Sequence, residues 1–422
     1  MKRALSVLLI LLSLQLSASF EEYFYPKTLR IDYFRTGDSV TELISINALI
    51  EEPHWGGSRI NLIDTLGLGN HKFELYHLFS EELIYSRAHS SLFFEWQTTQ
   101  EAKTTRRTFS ETIIMPFPKE RALVVFYSRT WKGEWVKTFE YQIDPESIFI
   151  SREQNELWPV FEVHISANPW NAVDFVFLPE GYTENEMDKF RNDCLRFAGY
   201  LLNASPFKQN IDRINIRAVL APSGESGTDI PGQDIWRRTI MNSHFYTFAL
   251  ERYLTTSDMK SVRNVAANVP YDQIVILVNS DKYGGGGIYN YYAITTADHL
   301  LSDFVFIHEI GHSFAGLGDE YYTKDVTYQN FYDLESEPWE PNLTTLVDFD
   351  RKWKDMLKPE TPVPTPATEE FKTMIGVFEG GGYTSTGMFR PFYDCTMKSA
   401  SFDNFCPVCK RAIERKIRFA SE

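Results

Sequence analysis

"HEIGHSFAGLGDEYY", residues 308–322, decides how this chain is read. Two histidines four positions apart project from one face of a helix. Glu309 lies about a quarter-turn further round the cylinder. Phe304, Val305, Phe306, Ile307, Ile310, Phe314 and Ala315 make the segment apolar nearly all round. A buried helix is expected, starting at Asp303 with Ser302 as its cap. Two histidines and a glutamate on a buried helix need a reason to be there. Paired imidazoles on one face are good Zn²⁺ ligands, and a neighbouring glutamate can take a proton from water as it attacks a carbonyl. His308 and His312 are therefore the candidate metal ligands and Glu309 the candidate catalytic base.

Catalytic zinc usually has three protein ligands, yet no histidine follows His312. Gly316 can end the helix in a left-handed cap, after which the chain turns back over Leu317 and Gly318 and brings Asp319 toward the rings. The metzincin pattern H-E-x-x-H-x-x-G-x-x-H differs in that the glycine and the third ligand here arrive one residue late and the ligand is aspartate. Asp319 is preferred as third ligand. Glu320 is the competitor, but it should point the other way. A glutamate from a later helix, as in gluzincins, is a lesser reading; Glu335, Glu337, Glu369 and Glu370 lie in irregular or Pro-rich stretches.

The C-terminal tail, from RPFYDCTMKSASFDNFCPVC onward, supplies further candidates. Met397 in Cys395-Thr-Met is placed to form a methionine turn under the metal. Pro407 suits the first turn of a helix running to about Phe419, with Lys and Arg gathered toward its end. Cys395, Cys406 and Cys409 are open to three readings: a second zinc site, a redox pair at Cys406-Pro-Val-Cys409, or a disulfide from Cys395 to Cys406 or Cys409. The disulfide is preferred for an exported chain.

Upstream, the pattern divides in two. Residues 20–150 read as an all-β sandwich, with expected strands at 28–33, 39–46, 72–79, 91–96, 122–128 and 135–143. Residues 151–422 read as a layered α/β domain. Its expected strands are 172–178, 213–220 and 273–279. Thr183 and Glu186 form a capping box before a helix, and a second helix is expected over about 239–254. The run YGGGGIYNYYAITT at 283–296 suggests a loop entering an edge strand. Gly286, Gly287, Ile288 and Tyr289 are then candidates for a rim against which an extended substrate lies. Tyr383 is a candidate oxyanion donor.

The whole chain has 422 residues and a net charge of −15, which disfavours nucleic-acid binding. Lys2 and Arg3, an apolar run at 5–16 and small residues at 17–19 read as a signal peptide over 1–19. No later segment is apolar enough to span a bilayer. An exported protein, secreted, periplasmic or at the cell surface, is expected.

The combination of HEIGHSFAGLGDEYY, YGGGGIYNYYA, the SGTDIP loop at 226–231 and the CTM…FCPVC tail resembles peptidase family M64, the IgA-peptidase-type metallopeptidases placed among the metzincins. The resemblance covers residue 157 to the C-terminus, and the N-terminal β domain is similar to the one that precedes the catalytic domain in that family. It implies a metzincin-like zincin fold and a zinc-dependent endopeptidase acting on protein or peptide substrates. Its ligand set of two histidines and an aspartate maps onto His308, His312 and Asp319, with Glu309 as general base. Immunoglobulin as substrate does not carry over. Two other classes fit parts of the sequence: a surface protein that binds protein or glycan around a structural metal, and a non-peptidase zinc amidohydrolase.

Overall fold

The computed structural model describes residues 19–153, 156–322, 331–401 and 404–422. The leader expected over 1–19 lies outside them, save Ser19. The first half is built on strands. A short helix α1 (Phe20–Tyr23) leads into β1 (Phe24–Gly37), followed by β2 (Glu42–Glu52), β3 (His71–His77), β4 (Leu83–His89), β5 (Arg107–Pro118), β6 (Ala122–Arg129), β7 (Trp135–Ile143) and β8 (Ile150–Ser151). They form two four-stranded sheets, ordered β5-β1-β2-β8 and β4-β3-β6-β7. Alternate side chains of both sheets meet in one core: Leu29, Ile31 and Ile113 from one, Phe73, Leu75 and Val124 from the other.

Two expectations fail in this half. Residues 91–96, read as a strand, lie in helix α2 (Leu92–Gln97), because Leu92, Phe93 and Trp96 bury together on one helical face. Strands β4, β5 and the two-residue β8 fall outside the expected set. Strand β5 carries charge at its start and proline at its end, which hide its apolar centre, yet it pairs along twelve positions of β1.

The second half holds a six-stranded sheet ordered β13-β14-β12-β10-β11-β9. Its strands are β9 (Val160–His164), β10 (Val173–Glu180), β11 (Ile214–Val219), β12 (Gln273–Val278), β13 (Gly285–Ile288) and β14 (Tyr292–Thr296). β14, β12, β10 and β11 run parallel, and every residue of these four is buried. That is why β10 and β12 read as continuous apolar runs rather than alternating ones. The outer strands β9 and β13 are antiparallel. Helices α3 (Met187–Asn203), α4 (Met259–Ala266), α5 (Ser302–Ala315) and α6 (Pro407–Ser421) complete the layers, with a hairpin of β15 (Phe378–Gly381) and β16 (Thr384–Arg390). The Thr183–Glu186 capping box forms as expected, opening with a 3₁₀ turn before α3. Helix α5 starts one residue earlier than expected, so Ser302 is its first residue and makes no cap. Among the described residues no helix is long and apolar enough to cross a membrane.

The helix expected over 239–254 does not exist. This segment is irregular, with one 3₁₀ turn at Thr247–Ala249 and left-handed backbone at Asn242, Tyr246, Phe248 and Ala249. A buried carboxylate overrides the helical spacing. Glu180, at the end of β10, accepts from Met241 N–H at 2.9 Å, Ser243 N–H at 2.7 Å and the Thr239 hydroxyl at 2.6 Å. Reciprocal backbone bonds between His244 and Thr255 then close the segment. It forms one wall of the cleft described below. Replacing Glu180 by Ala strands two buried amides, so Glu180→Ala should lower the urea unfolding midpoint by an amount equivalent to about 2–3 kcal/mol. An unchanged midpoint would mean that the carboxylate does not organise this wall.

Candidate metal centre

Helix α5 packs on β14 and β13 with Phe306, Ile310 and Phe314 in the main core, which turns His308, Glu309 and His312 toward the open edge of the sheet. The helix ends where expected. Gly316 adopts φ +64°, and its N–H reaches back to His312 C=O. The reversal brings Asp319 over the histidines. Asp319 Oδ1 is 3.1 Å from His308 Nε2 and 3.3 Å from His312 Nε2, and the two Nε2 atoms are 3.0 Å apart.

The other ring nitrogens are already committed. His308 Nδ1 faces Thr396 C=O at 2.9 Å, and His312 Nδ1 faces Leu317 C=O at 2.6 Å. Each Nδ1 can only donate to a carbonyl, so each Nε2 presents its lone pair inward. Asp319 Oδ1 is buried without a hydrogen-bond partner. Three electron-pair donors thus converge with nothing to hold them apart but a cation. Their mutual distances approach the edge of about 3.3 Å expected of a tetrahedron with metal–N/O bonds of about 2.0 Å. Without a cation, burial opposes charge on His312, but Asp319 beside it prevails and raises its pKa to about 9, so a metal would take the place of the proton on Nε2. Burial also opposes charge on Asp319, yet the two rings hold its carboxyl well below the usual range. The donor set fits a divalent metal such as zinc.

Glu309 stands apart from these three atoms. It has no hydrogen bond to a described residue, and burial pushes its carboxyl up from the ordinary value. Its surface position is only half-buried, in a cleft of about 420 Å³. Gly285 and Gly287 make room for it. A Cβ on Gly287 would lie 2.5 Å from Glu309 C=O and 3.0 Å from Glu309 Oε2, and one on Gly285 would lie 2.9 Å from Glu309 Oε1. The glycine run is a close approach of edge strand to helix, not a loose loop.

Gly286, Gly287, Ile288 and Tyr289 all line the cleft, but the backbone edge they leave open to it is narrow. The Thr296 N–H to Gly284 C=O bond fixes the register of β13, which turns Gly285 and Gly287 away from β14. At Gly285 that outer edge is already taken by Arg252 C=O and Leu254 N–H. Gly286 faces β14, and Ile288 and Tyr289 are buried, with Tyr289 against the Trp339 ring. Gly287 is the rim residue whose backbone faces the cleft.

Met397 is fully buried beneath α5. A Cβ on Gly311, between the two histidines, would come within 2.6 Å of Met397 Sδ. The same turn supplies Thr396 C=O to His308 and Met397 C=O to Glu320 N–H at 2.8 Å. Glu320 points away from the rings, into a cluster with the three C-terminal cysteines. The preferred disulfide is absent: Cys395 Sγ and Cys409 Sγ are 3.8 Å apart, and Cys194 is buried elsewhere in the core. Glu335, Glu337, Glu369 and Glu370 take no part in the histidine cluster; Glu337 binds Thr345 and Asp348, and Glu369 pairs with Lys372.

Tyr383 is at the site, but its hydroxyl donates to Asp319 Oδ2 at 2.6 Å. The hairpin tip also bonds the ligand loop through Gly382 N–H to Asp319 C=O at 2.8 Å and Tyr383 N–H to Tyr321 C=O at 3.0 Å. Tyr383 is placed to position Asp319 rather than to meet an oxyanion. Sequence reasoning passed over Arg252, Tyr321 and Tyr332, which line the cleft, and Asn70, Ser90 and Glu95, which the β half contributes to it. Only the Tyr321-Tyr322 pair at the end of the quoted stretch hinted at any of them. Tyr383→Phe should weaken zinc affinity about 10-fold or more, as loss of such outer partners does, measured by competition with a chromogenic chelator. Unchanged affinity would free Tyr383 from this positioning role.

A family model described as IgA Peptidase M64 matches residues 161–374 and 367–417, and one described as Peptidase M64 N-terminus matches 19–140. No curated protein matches the chain.

Proposed function

Because the chain belongs to the IgA peptidase M64 family of metallopeptidases, whose substrates are proteins or peptides, we propose that it is an exported zinc-dependent endopeptidase of metzincin-like architecture. The observation that carries this reading is the convergence of His308 Nε2, His312 Nε2 and an otherwise unpartnered Asp319 Oδ1 on one point. His308, His312 and Asp319 would hold the zinc. Held there, zinc supplies Lewis-acid chemistry, acidifying water toward neutrality and polarising a carbonyl.

Glu309 does the proton work. Its carboxylate, free of hydrogen-bond partners among the described residues and raised by burial, accepts the proton of the attacking water and returns it to the departing amine. The metzincin-like reading draws support from the antiparallel edge strand beside the ligand helix, the glycine turn before the third ligand, and Met397 below the histidines. A substrate main chain would pair with Gly287, the part of the β13 edge not covered by 252–254. The division into a β domain at 20–150 and a catalytic domain at 151–422 is part of the same proposal. So is a contribution of the first domain to substrate choice, since Asn70, Ser90 and Glu95 reach the cleft.

The test is Glu309→Gln. It keeps the shape of the side chain and removes the base. Cleavage of a denatured protein should fall by at least about 10²–10⁴-fold while zinc content stays at the wild-type level. Undiminished cleavage would discard the mechanism. A chelator should abolish wild-type activity and zinc should restore it. Export has its own check: N-terminal sequencing of the protein recovered from outside the producing cytoplasm should begin near Phe20, whereas a retained Lys2-Arg3 start would sink the leader assignment.

A further inference from the structure

We propose that Glu320, Cys395, Cys406 and Cys409 form a second metal centre, a closed structural zinc site behind the histidine cluster. Each residue offers one ligand atom, and all four atoms lie within 4.8 Å of one another. None of the four side chains reaches solvent beyond 1% of its surface. This site stands on different residues from the catalytic centre and does not depend on it.

The distances match a tetrahedron better than a disulfide. Cys395 Sγ and Cys409 Sγ are 3.8 Å apart. Zinc–sulfur bonds of about 2.3 Å at a tetrahedral angle give an edge of about 3.8 Å, while a disulfide needs about 2.05 Å. Cys409 Sγ and Glu320 Oε1 are 3.4 Å apart. One zinc–sulfur and one zinc–oxygen bond give an edge of about 3.5 Å.

Two backbone N–H groups are aimed at the sulfurs. Cys406 N–H points at Cys395 Sγ (3.2 Å), and Cys409 N–H points at Cys406 Sγ (3.5 Å). Cys406 and Cys409 also open the fifteen-residue helix α6, whose N-terminus favours negative charge. Asn342 Nδ2 donates to Glu320 Oε1 at 2.9 Å, orienting the carboxylate from outside as partners of metal ligands do. The second oxygen, Oε2, is buried without any hydrogen-bond partner, and Glu320 makes no salt bridge among the described residues, Arg390 acting on it only from further off. A carboxylate so enclosed among three sulfurs calls for a positive charge. Zinc is the ion for a mixed thiolate and carboxylate set that leaves no position open.

Such a centre would brace the first. Glu320 follows Asp319 directly. Cys395 precedes Thr396 and Met397, whose carbonyls take His308 Nδ1 and Glu320 N–H. Asn342 also bonds Gly318 on both sides, at 2.7 and 2.9 Å. One ion would thus tie the ligand loop, the methionine turn and α6 together.

The experiment uses the full chain carrying His308→Ala and His312→Ala, which removes the first centre. Elemental analysis should still find about one zinc per chain. Adding Cys406→Ser should abolish it. Cobalt substitution of this double variant should produce a sulfur-to-metal charge-transfer band in the near ultraviolet. In denaturant with a chelator all four cysteines should titrate as thiols. Absence of zinc and of the cobalt band, with only two thiols titrating, would overturn the proposal in favour of a disulfide. Absence of both with four thiols would reduce the cluster to a packed core. If the Cys406→Ser chain fails to fold, the cobalt spectrum and thiol count of the His308→Ala, His312→Ala variant decide alone.

Discussion

The site depends on one reversal of the chain. A helix that is apolar nearly all round cannot present three polar side chains usefully unless something returns to meet them. Gly316 makes that return possible by taking φ +64°, where a Cβ would lie 2.8 Å from the Trp339 ring. The same turn places Leu317 C=O on His312 Nδ1, so the residue that redirects the backbone also orients the ring. Asp319 then arrives with one oxygen toward both imidazoles and the other on Tyr383.

The turn is held from three sides. The hairpin tip at Gly382 and Tyr383 bonds the backbone of Asp319 and Tyr321 from the cleft side. The methionine turn supplies carbonyls to His308 and Glu320 from below. Asn342 closes a two-way bond with Gly318 and continues to Glu320. Alternation along the loop gives Asp319 and Glu320 opposite directions, so one short stretch serves both the histidine cluster and the cysteine cluster. Loops positioned this rigidly can place a ligand atom to the tolerance a metal requires.

The cleft is shared between the two halves of the chain. The β half contributes Asn70, Ser90 and Glu95 to it, and Tyr253 from the irregular segment bonds Glu95. Further in, Arg30 reaches Asn264, Tyr271 reaches Glu52, and Arg263 reaches Thr112, all at buried or part-buried positions. Hydrogen bonds buried in this way, with both partners satisfied, fix how the two halves pack. The β sheets therefore act as a wall of the site, built into the same packed body.

What is local or periodic was legible from the residues alone. The ligand helix, its glycine stop, the direction of Asp319, the capping box at Thr183 and the buried parallel strands all follow from spacing within a few residues, where helix and strand geometry leave little choice. What depends on a distant partner emerged with the folded chain. Spacing alone made 239–254 a helix, but Glu180, some sixty residues earlier, captures its amides in another shape. Aromatic content made 91–96 a strand, but a shared buried face made it a helix. The role of Tyr383, the covering of Gly285 by 252–254, and the meeting of Glu320 with three cysteines were likewise invisible in the sequence. They join residues far apart along the chain, and no local pattern encodes which buried polar group will find which partner.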